Sequence, residues 1–126
     1  VVRGELERTI EGVVKHIMLK SLSNLTAPPE EGGTPVKTGF ASASWILSIG
    51  EPSQDVAGEK PEIDYGPQEA GQLAIHGYTL SQGAVFLTNN APYIRRLNYG
   101  YSPQAAAGFI EAAVTRAVND AQEKFR

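Results

Sequence analysis

No cysteine occurs anywhere in this chain, which removes disulfides, thiolate metal sites and cysteine nucleophiles from consideration. The absence fits a protein assembled in a reducing cytoplasm. Long apolar runs are missing too. None approaches the roughly 18 residues that a membrane-spanning helix needs, and the first residues lack the basic, apolar and small-residue order of a signal peptide. A dense basic patch is equally absent: 11 Lys and Arg stand against 14 Asp and Glu, a net charge of −3, and they do not cluster. Tight nucleic-acid binding through neutralised phosphates is not expected of such a chain. What remains is 126 residues, 41% hydrophobic and 20% charged, the profile of one globular domain over 1–126 with a core of its own.

The acids are unevenly spread. Residues 51–69 hold Glu51, Asp55, Glu59, Glu62, Asp64 and Glu69 against Lys60 alone, a net of −5, which leaves +2 for the rest of the chain. The segment is also rich in Pro and Gly and reads as a long loop or extended excursion, the kind of connection that is often functional or mobile. Between Ala70 and Ile110, by contrast, the only formally charged residues are Arg95 and Arg96.

Residues 2–25 read as an amphipathic helix in which Leu6, Ile10, Val13, Val14, Ile17 and Met18 recur at three- and four-residue steps. Gly4 and Gly12 each cost such a helix about 1 kcal/mol relative to Ala, so its stability must come from packing. The stretch from Ala27 to Pro35 ends it, because Pro28-Pro29 cannot continue a helix and Gly32-Gly33 gives a flexible turn. Phe40 to Gly50 alternates and predicts a half-buried strand. Ala41, Ala43, Trp45, Leu47 and Ile49 share one face, Ser42, Ser44 and Ser48 the other, and Ile46 is an apolar exception.

Gly71 to Gly83 reads as a short strand or an irregular segment, and Ala84 to Asn89 as a short strand. Asn90 is a candidate cap for a helix over Ala91 to Gly100, with Pro92 in its first turn. The final helix is introduced at Ser102 or Pro103. Its predicted stripe is Phe109, Ile110, Ala113, Val114, Ala117, Val118, Ala121 and Phe125. The fold class these segments imply is α+β. Long N- and C-terminal helices pack on a small, mainly antiparallel sheet whose firmest strands lie at about 40–49 and 84–89, with one or two more from 57–82.

Candidate catalytic groups are few. His16 has no acid or histidine at metal-ligand spacing and reads as a surface helix residue. His76, between Ile75 and Gly77, reads as structural. Glu62 and Asp64 share a face of an extended chain and could serve as an acid pair or a cation site, but no third ligand accompanies them. Gly32-Gly33-Thr34 lacks the lysine of a phosphate-binding loop. No cofactor, metal or enzymatic activity is expected. The stretch from Thr88 to Phe109 instead combines three tyrosines, two prolines and the Arg95-Arg96 pair, with no histidine or carboxylate. Tyr and Arg on a charge-poor surface are the compositional mark of interface cores. The alternative reading places Tyr93, Tyr99 and Tyr101 in this domain's own core.

Two stretches carry a family resemblance. The first is TPVKTGFASASW, Thr34 to Trp45, with Thr34, Pro35, Val36, Thr38, Gly39, Ser44 and Trp45 as its matching elements. The second runs from Leu87 to Val114, with Asn89, Asn90, Pro92, Tyr93, Tyr99, Gly100, Ser102, Gln104, Ala105 and Gly108. In this order and spacing they resemble the neck and tail-completion proteins of long-tailed bacteriophages, also labelled head–tail joining proteins or minor tail components. The two stretches cover about a third of the chain. Asn98 departs from the pattern, standing where relatives tend to have an acidic residue, and Ala106 stands where a proline is common.

The resemblance implies a structural virion protein with no catalytic step. Its copies form a ring, most often a hexamer, at the head–tail junction, completing the tail end and leaving a channel for the genome. Its implied partners are its own copies, the head-completion or connector proteins, and the tail tube or tail terminator, with double-stranded DNA in transient passage. Assembly in the host cytoplasm and residence in the virion follow.

On this reading Tyr93, Arg95, Arg96, Tyr99, Tyr101 and Gln104 are the candidate interface residues. Trp45, Pro35, Gly39, Asn90 and Pro92 are the structural anchors. Glu51, Asp55, Glu59, Glu62 and Asp64 are candidates for lining the channel or facing an adjacent ring, where a negative lumen would repel DNA phosphates; the rival is a solvent-exposed outer loop. A tail-terminator ring is an alternative role. Alternatives of other classes are a non-phage adaptor module and an enzyme using Glu62, Asp64 or His76.

Overall fold

The computed structural model describes residues 2–35, 40–57, 63–100 and 107–125. The chain is α+β: helices at both ends pack with a small antiparallel sheet. No helix of the described residues is long and apolar enough to cross a membrane.

The first helix, α1, spans Val2–Thr26. Leu22 and Leu25 near its end are buried in the main core with Trp45, Leu47, Ile75, Phe109 and Ala113. The stop is built as the proline and glycine pairs require. Gly32 adopts φ 90°, and the Thr34 N–H returns to the Leu25 carbonyl at 2.9 Å. Gly33 lies so close to the Ala27 backbone that a β-carbon there would overlap its carbonyl oxygen.

The last helix, α5, spans Phe109–Lys124 and runs antiparallel to α1. Asn24 Nδ2 donates to the Ala113 carbonyl at one end of the pair, and His16 meets Asp120 towards the other. Phe109, Ala113, Ala117 and Ala121, four apart, form its buried line. The small side chains let the two helices approach closely.

Both predicted stripes prove wider than the buried surface. Leu6 and Ile10 of α1, Val114 of α5 and Phe125 just beyond it are exposed. The Phe125 ring lies against Gly12, so the α1 turns that precede Gly12 extend past the end of the described part of α5. Helix α5 starts at Phe109 after a turn at 107–108; Ser102 and Pro103, the expected start, lie outside the described residues.

The expected strand over 40–49 is a helix and a strand. Phe40–Ala43 forms a single helical turn, α2, and Trp45–Ile49 forms β1. The alternation failed because Phe40, Ala41 and Ala43 all go inward, into a second cluster with Ala57 and Ala91. Ser44, expected on the polar face, is fully buried. Its hydroxyl donates to the Phe40 carbonyl at 2.8 Å, closing the helical turn, and accepts the Ala57 N–H at 3.2 Å. Ile46 is also buried, so β1 is covered on both faces. Its partner β2, Val85–Asn89, pairs antiparallel with Trp45 opposite Asn89 and Ile49 opposite Val85.

No further strand occurs among the described residues of 57–82. In place of the expected strand, and of the end of the expected loop, stands an 11-residue helix, α3, Gly66–His76. Asp64 Oδ1 accepts the Gly66 N–H at 2.9 Å, and Pro67 in the first turn sacrifices no useful donor. Helix α3 lies along the edge of β1 that β2 leaves open. Gln68 Nε2 donates to the carbonyls of Ser42 and Trp45 at 3.0 and 3.1 Å, so a side chain supplies what another strand would have. A turn at Leu80–Gln82 follows, and Glu11 of α1 accepts the Leu80 N–H at 2.6 Å.

Candidate interaction surface

The short helix α4, Ile94–Asn98, displays the residues on which the interface expectation rested. Ile94 and Leu97, three apart, pack against both clusters and fix the helix to the body. Arg95, Arg96 and Tyr99 therefore face outwards, and Tyr99 is 69% exposed. Tyr93 is 39% exposed, with its ring 6.3 Å from that of buried Phe40 and tilted by 46°. Among the described residues neither arginine makes an ion pair. Tyr101 and Gln104 lie outside the described residues.

Two neighbouring asparagines set the approach to α4, and not as expected. The helix begins at Ile94, not Ala91, and no side chain caps it. Asn89, the last residue of β2, accepts the Ala91 N–H at 3.0 Å and donates to the Ala41 carbonyl at 2.8 Å. Asn90 turns the other way, and its Nδ2 donates to the carbonyls of Ser53 and Asp55 at 2.8 and 3.2 Å. It binds the acidic segment to the body instead of capping a helix. Pro92 is exposed in the turn between Asn90 and α4.

Trp45 and Pro35 are buried. The Trp45 indole N–H donates to the Thr34 hydroxyl at 2.8 Å in the main core, which joins both ends of the first motif; Gly39 lies outside the described residues. Of the acids, Glu51, Asp55 and Asp64 are exposed, whereas Glu59 and Glu62 lie outside the described residues. Residues 51–57 are held close to the body. Ser48 Oγ donates to the Glu51 carbonyl at 2.8 Å, Asn90 holds 53 and 55, and Ala57 is buried in the second cluster.

The remaining titratable candidates are scattered. His16 is no simple surface residue: Nε2 sits 2.5 Å from Asp120 Oδ2, and its ring meets Phe125 edge-on at 5.8 Å. This pair ties α1 to α5 across 104 positions, which local spacing could not reveal. His76 is exposed at the end of α3, and Asp64 is engaged in starting that helix. No group of three or more metal-ligating side chains converges among the described residues.

Asn98, noted only as a departure, joins α4 to the start of α5. Its Oδ1 accepts the Ile110 N–H at 3.0 Å, its Nδ2 reaches the Glu111 carboxylate, and its carbonyl accepts the Gly108 N–H at 2.7 Å. Set against family models, curated proteins and solved structures, the chain finds no match in any of the three. The resemblance to phage neck proteins thus rests on the two short motifs alone.

Proposed function

We propose that this chain is a structural subunit of a ring at the head–tail junction of a long-tailed bacteriophage, a collar that completes the tail end around the path of the genome. The observation that carries the reading is the α4 face. Arg95 and Arg96 on α4, with Tyr93 and Tyr99 at its two ends, stand outward on a helix pinned from beneath by Ile94 and Leu97, inside the stretch that carries the longer motif. Exposed tyrosine on a fixed backbone supplies large contact area at low ordering cost, and arginine adds charge-assisted hydrogen bonds, which is what a surface for repeated docking needs. A closed ring uses heterologous contacts, in which one patch on each copy meets a different patch on the next. Neighbouring rings, connector on one side and tail tube on the other, would stack on its two rims while double-stranded DNA passes through.

The test is the mass of the purified chain, alone and mixed with the tail-tube protein of the same virus, by native mass spectrometry and negative-stain imaging. A closed ring in either setting is expected. A monomer in both overturns the proposal.

A further inference from the structure

We infer that the partner of the α4 face is the acidic segment of a second copy of this chain, so that Arg95 and Arg96 of one subunit dock against Glu51 and Asp55 of the next. This rests on the ring reading and adds which two patches meet. The starting point is charge. Arg95 and Arg96 are the only charged residues in the 41 positions from Ala70 to Ile110, whereas 51–69 carries a net −5. Both arginines and both carboxylates are exposed, and among the described residues none of the four has an ion-pair partner in its own chain.

Geometry explains why they do not pair within one subunit. The acidic segment reaches the body on the inner side of α4. Ala57 is buried in the cluster with Ala91, against which Ile94 and Leu97 pack, and Asn90 holds the carbonyls of Ser53 and Asp55 just before the helix. Arg95 and Arg96 occupy the opposite side of α4, turned from Ile94 and Leu97. One copy therefore presents a positive patch and a negative patch that, among the described residues, make no ion pair with each other. Two distinct, complementary patches on one chain are what a heterologous, ring-closing contact requires.

The patches are also pre-organised. Ser48 holds the Glu51 backbone, Ser53 Oγ accepts the Asp55 N–H at 3.1 Å, and Asn90 ties both segments together. Docking thus has side chains to order but little backbone. Tyr93 and Tyr99 on either side of the arginines exclude water from the pairs and add apolar area.

The decisive experiment is a charge exchange, read by analytical ultracentrifugation, with tail-tube protein added if the unaltered chain assembles only on it. One variant carries Arg95→Glu and Arg96→Glu, the other Glu51→Lys and Asp55→Lys. Each alone repels its own copies and associates at least tenfold more weakly than the unaltered chain. An equimolar mixture restores assembly, because the reversed α4 face of one variant meets the reversed segment of the other. Assembly of the unaltered chain also weakens from about 0.1 M to about 1 M salt, as the screening length falls from about 10 Å to about 3 Å.

Circular dichroism confirms that each variant is folded. If a reversal unfolds the chain, Arg95→Gln with Arg96→Gln reads the same weakening without introducing new charge. Rings that form equally well in both variants, or a mixture that fails to recover, overturn this pairing and leave the ring reading standing. An unaltered chain that is monomeric in every setting removes both.

Discussion

Asn98 holds Glu111 through both carboxylate oxygens, its Nδ2 donating to Oε1 at 2.8 Å and to Oε2 at 3.0 Å. The same amide accepts the Ile110 N–H, one of the donors that the first turn of α5 cannot satisfy internally. One side chain thus caps α5 from 12 residues away and fixes the acid that complements its N-terminal dipole. The departure from the phage pattern now has a physical reading. With Glu111 in this position, an acidic residue at 98 would set two carboxylates against each other.

Asn98→Asp therefore destabilises the chain by about 1 kcal/mol, the loss of an exposed charge-assisted contact plus a screened repulsion. Urea denaturation measures it. Adding Glu111→Gln restores most of the loss, because the glutamine amide donates to the new carboxylate. If Asn98→Asp is as stable as the unaltered chain, the contact contributes nothing.

Thr34→Val tests the link between the two ends of the first motif. Thr34 is fully buried and provides the acceptor for the Trp45 indole N–H. Valine matches its shape but leaves that donor unsatisfied in the core, a loss of about 1–3 kcal/mol. Thermal melting reports the size. Trp45 is the only tryptophan, so its fluorescence reports whether the indole has moved towards water. Thr34→Ser keeps the acceptor and should recover most of the stability.

Gly71→Ala tests how α3 seats on the sheet. A β-carbon built at Gly71 falls 2.4 Å from the Leu47 carbonyl oxygen, a backbone atom that cannot step aside. The helix must lift from the strand, straining the Gln68 bonds to Ser42 and Trp45 as it does so. A cost of about 1–3 kcal/mol is expected, even though alanine favours a helix more than glycine does. Hydrogen exchange should speed up in both α3 and β1. Unchanged exchange in β1 would mean that the contact is not tight.

That same glycine explains what the sequence concealed. The terminal helices were legible because Val14 and Met18 in one, and Phe109, Ala113, Ala117 and Ala121 in the other, repeat at helical spacing; Leu22 and Leu25, which anchor α1 in the core, continue that spacing but were not in the predicted stripe. Helix α3 was not, because its inward positions are Gln68, Gly71 and Ile75, of which only the last is apolar, while Leu73 is 75% exposed. A helix that meets a strand through glycine and glutamine leaves almost no apolar period to read. Phe40–Ala43 misled in the opposite sense, since alternating Ala and Ser satisfy a strand pattern or one helical turn equally. The outward face of α4 was legible in composition, as charge-poor residues around two arginines. The bonds from Asn90 to 53 and 55 and from Asn98 to Glu111 were not, because they join residues brought together only by the fold.

Leu97 and Tyr99 sit two residues apart at the end of α4 and separate folding from assembly. Leu97 packs into both apolar clusters, whereas Tyr99 stands largely in water. Leu97→Ala should cost about 1–3 kcal/mol, below the range for a fully buried leucine because this one is half-buried. Tyr99→Ala should change stability by no more than about 0.5 kcal/mol, as an exposed position does. On the proposed ring reading the order reverses in assembly: Tyr99→Ala should fold normally and assemble poorly, since that reading makes the tyrosine an anchor of the docking face. Melting curves and sedimentation on the same two preparations supply both readouts. If Tyr99→Ala assembles as well as the unaltered chain, the exposed tyrosine is ordinary surface and the α4 face loses its claim to be the contact.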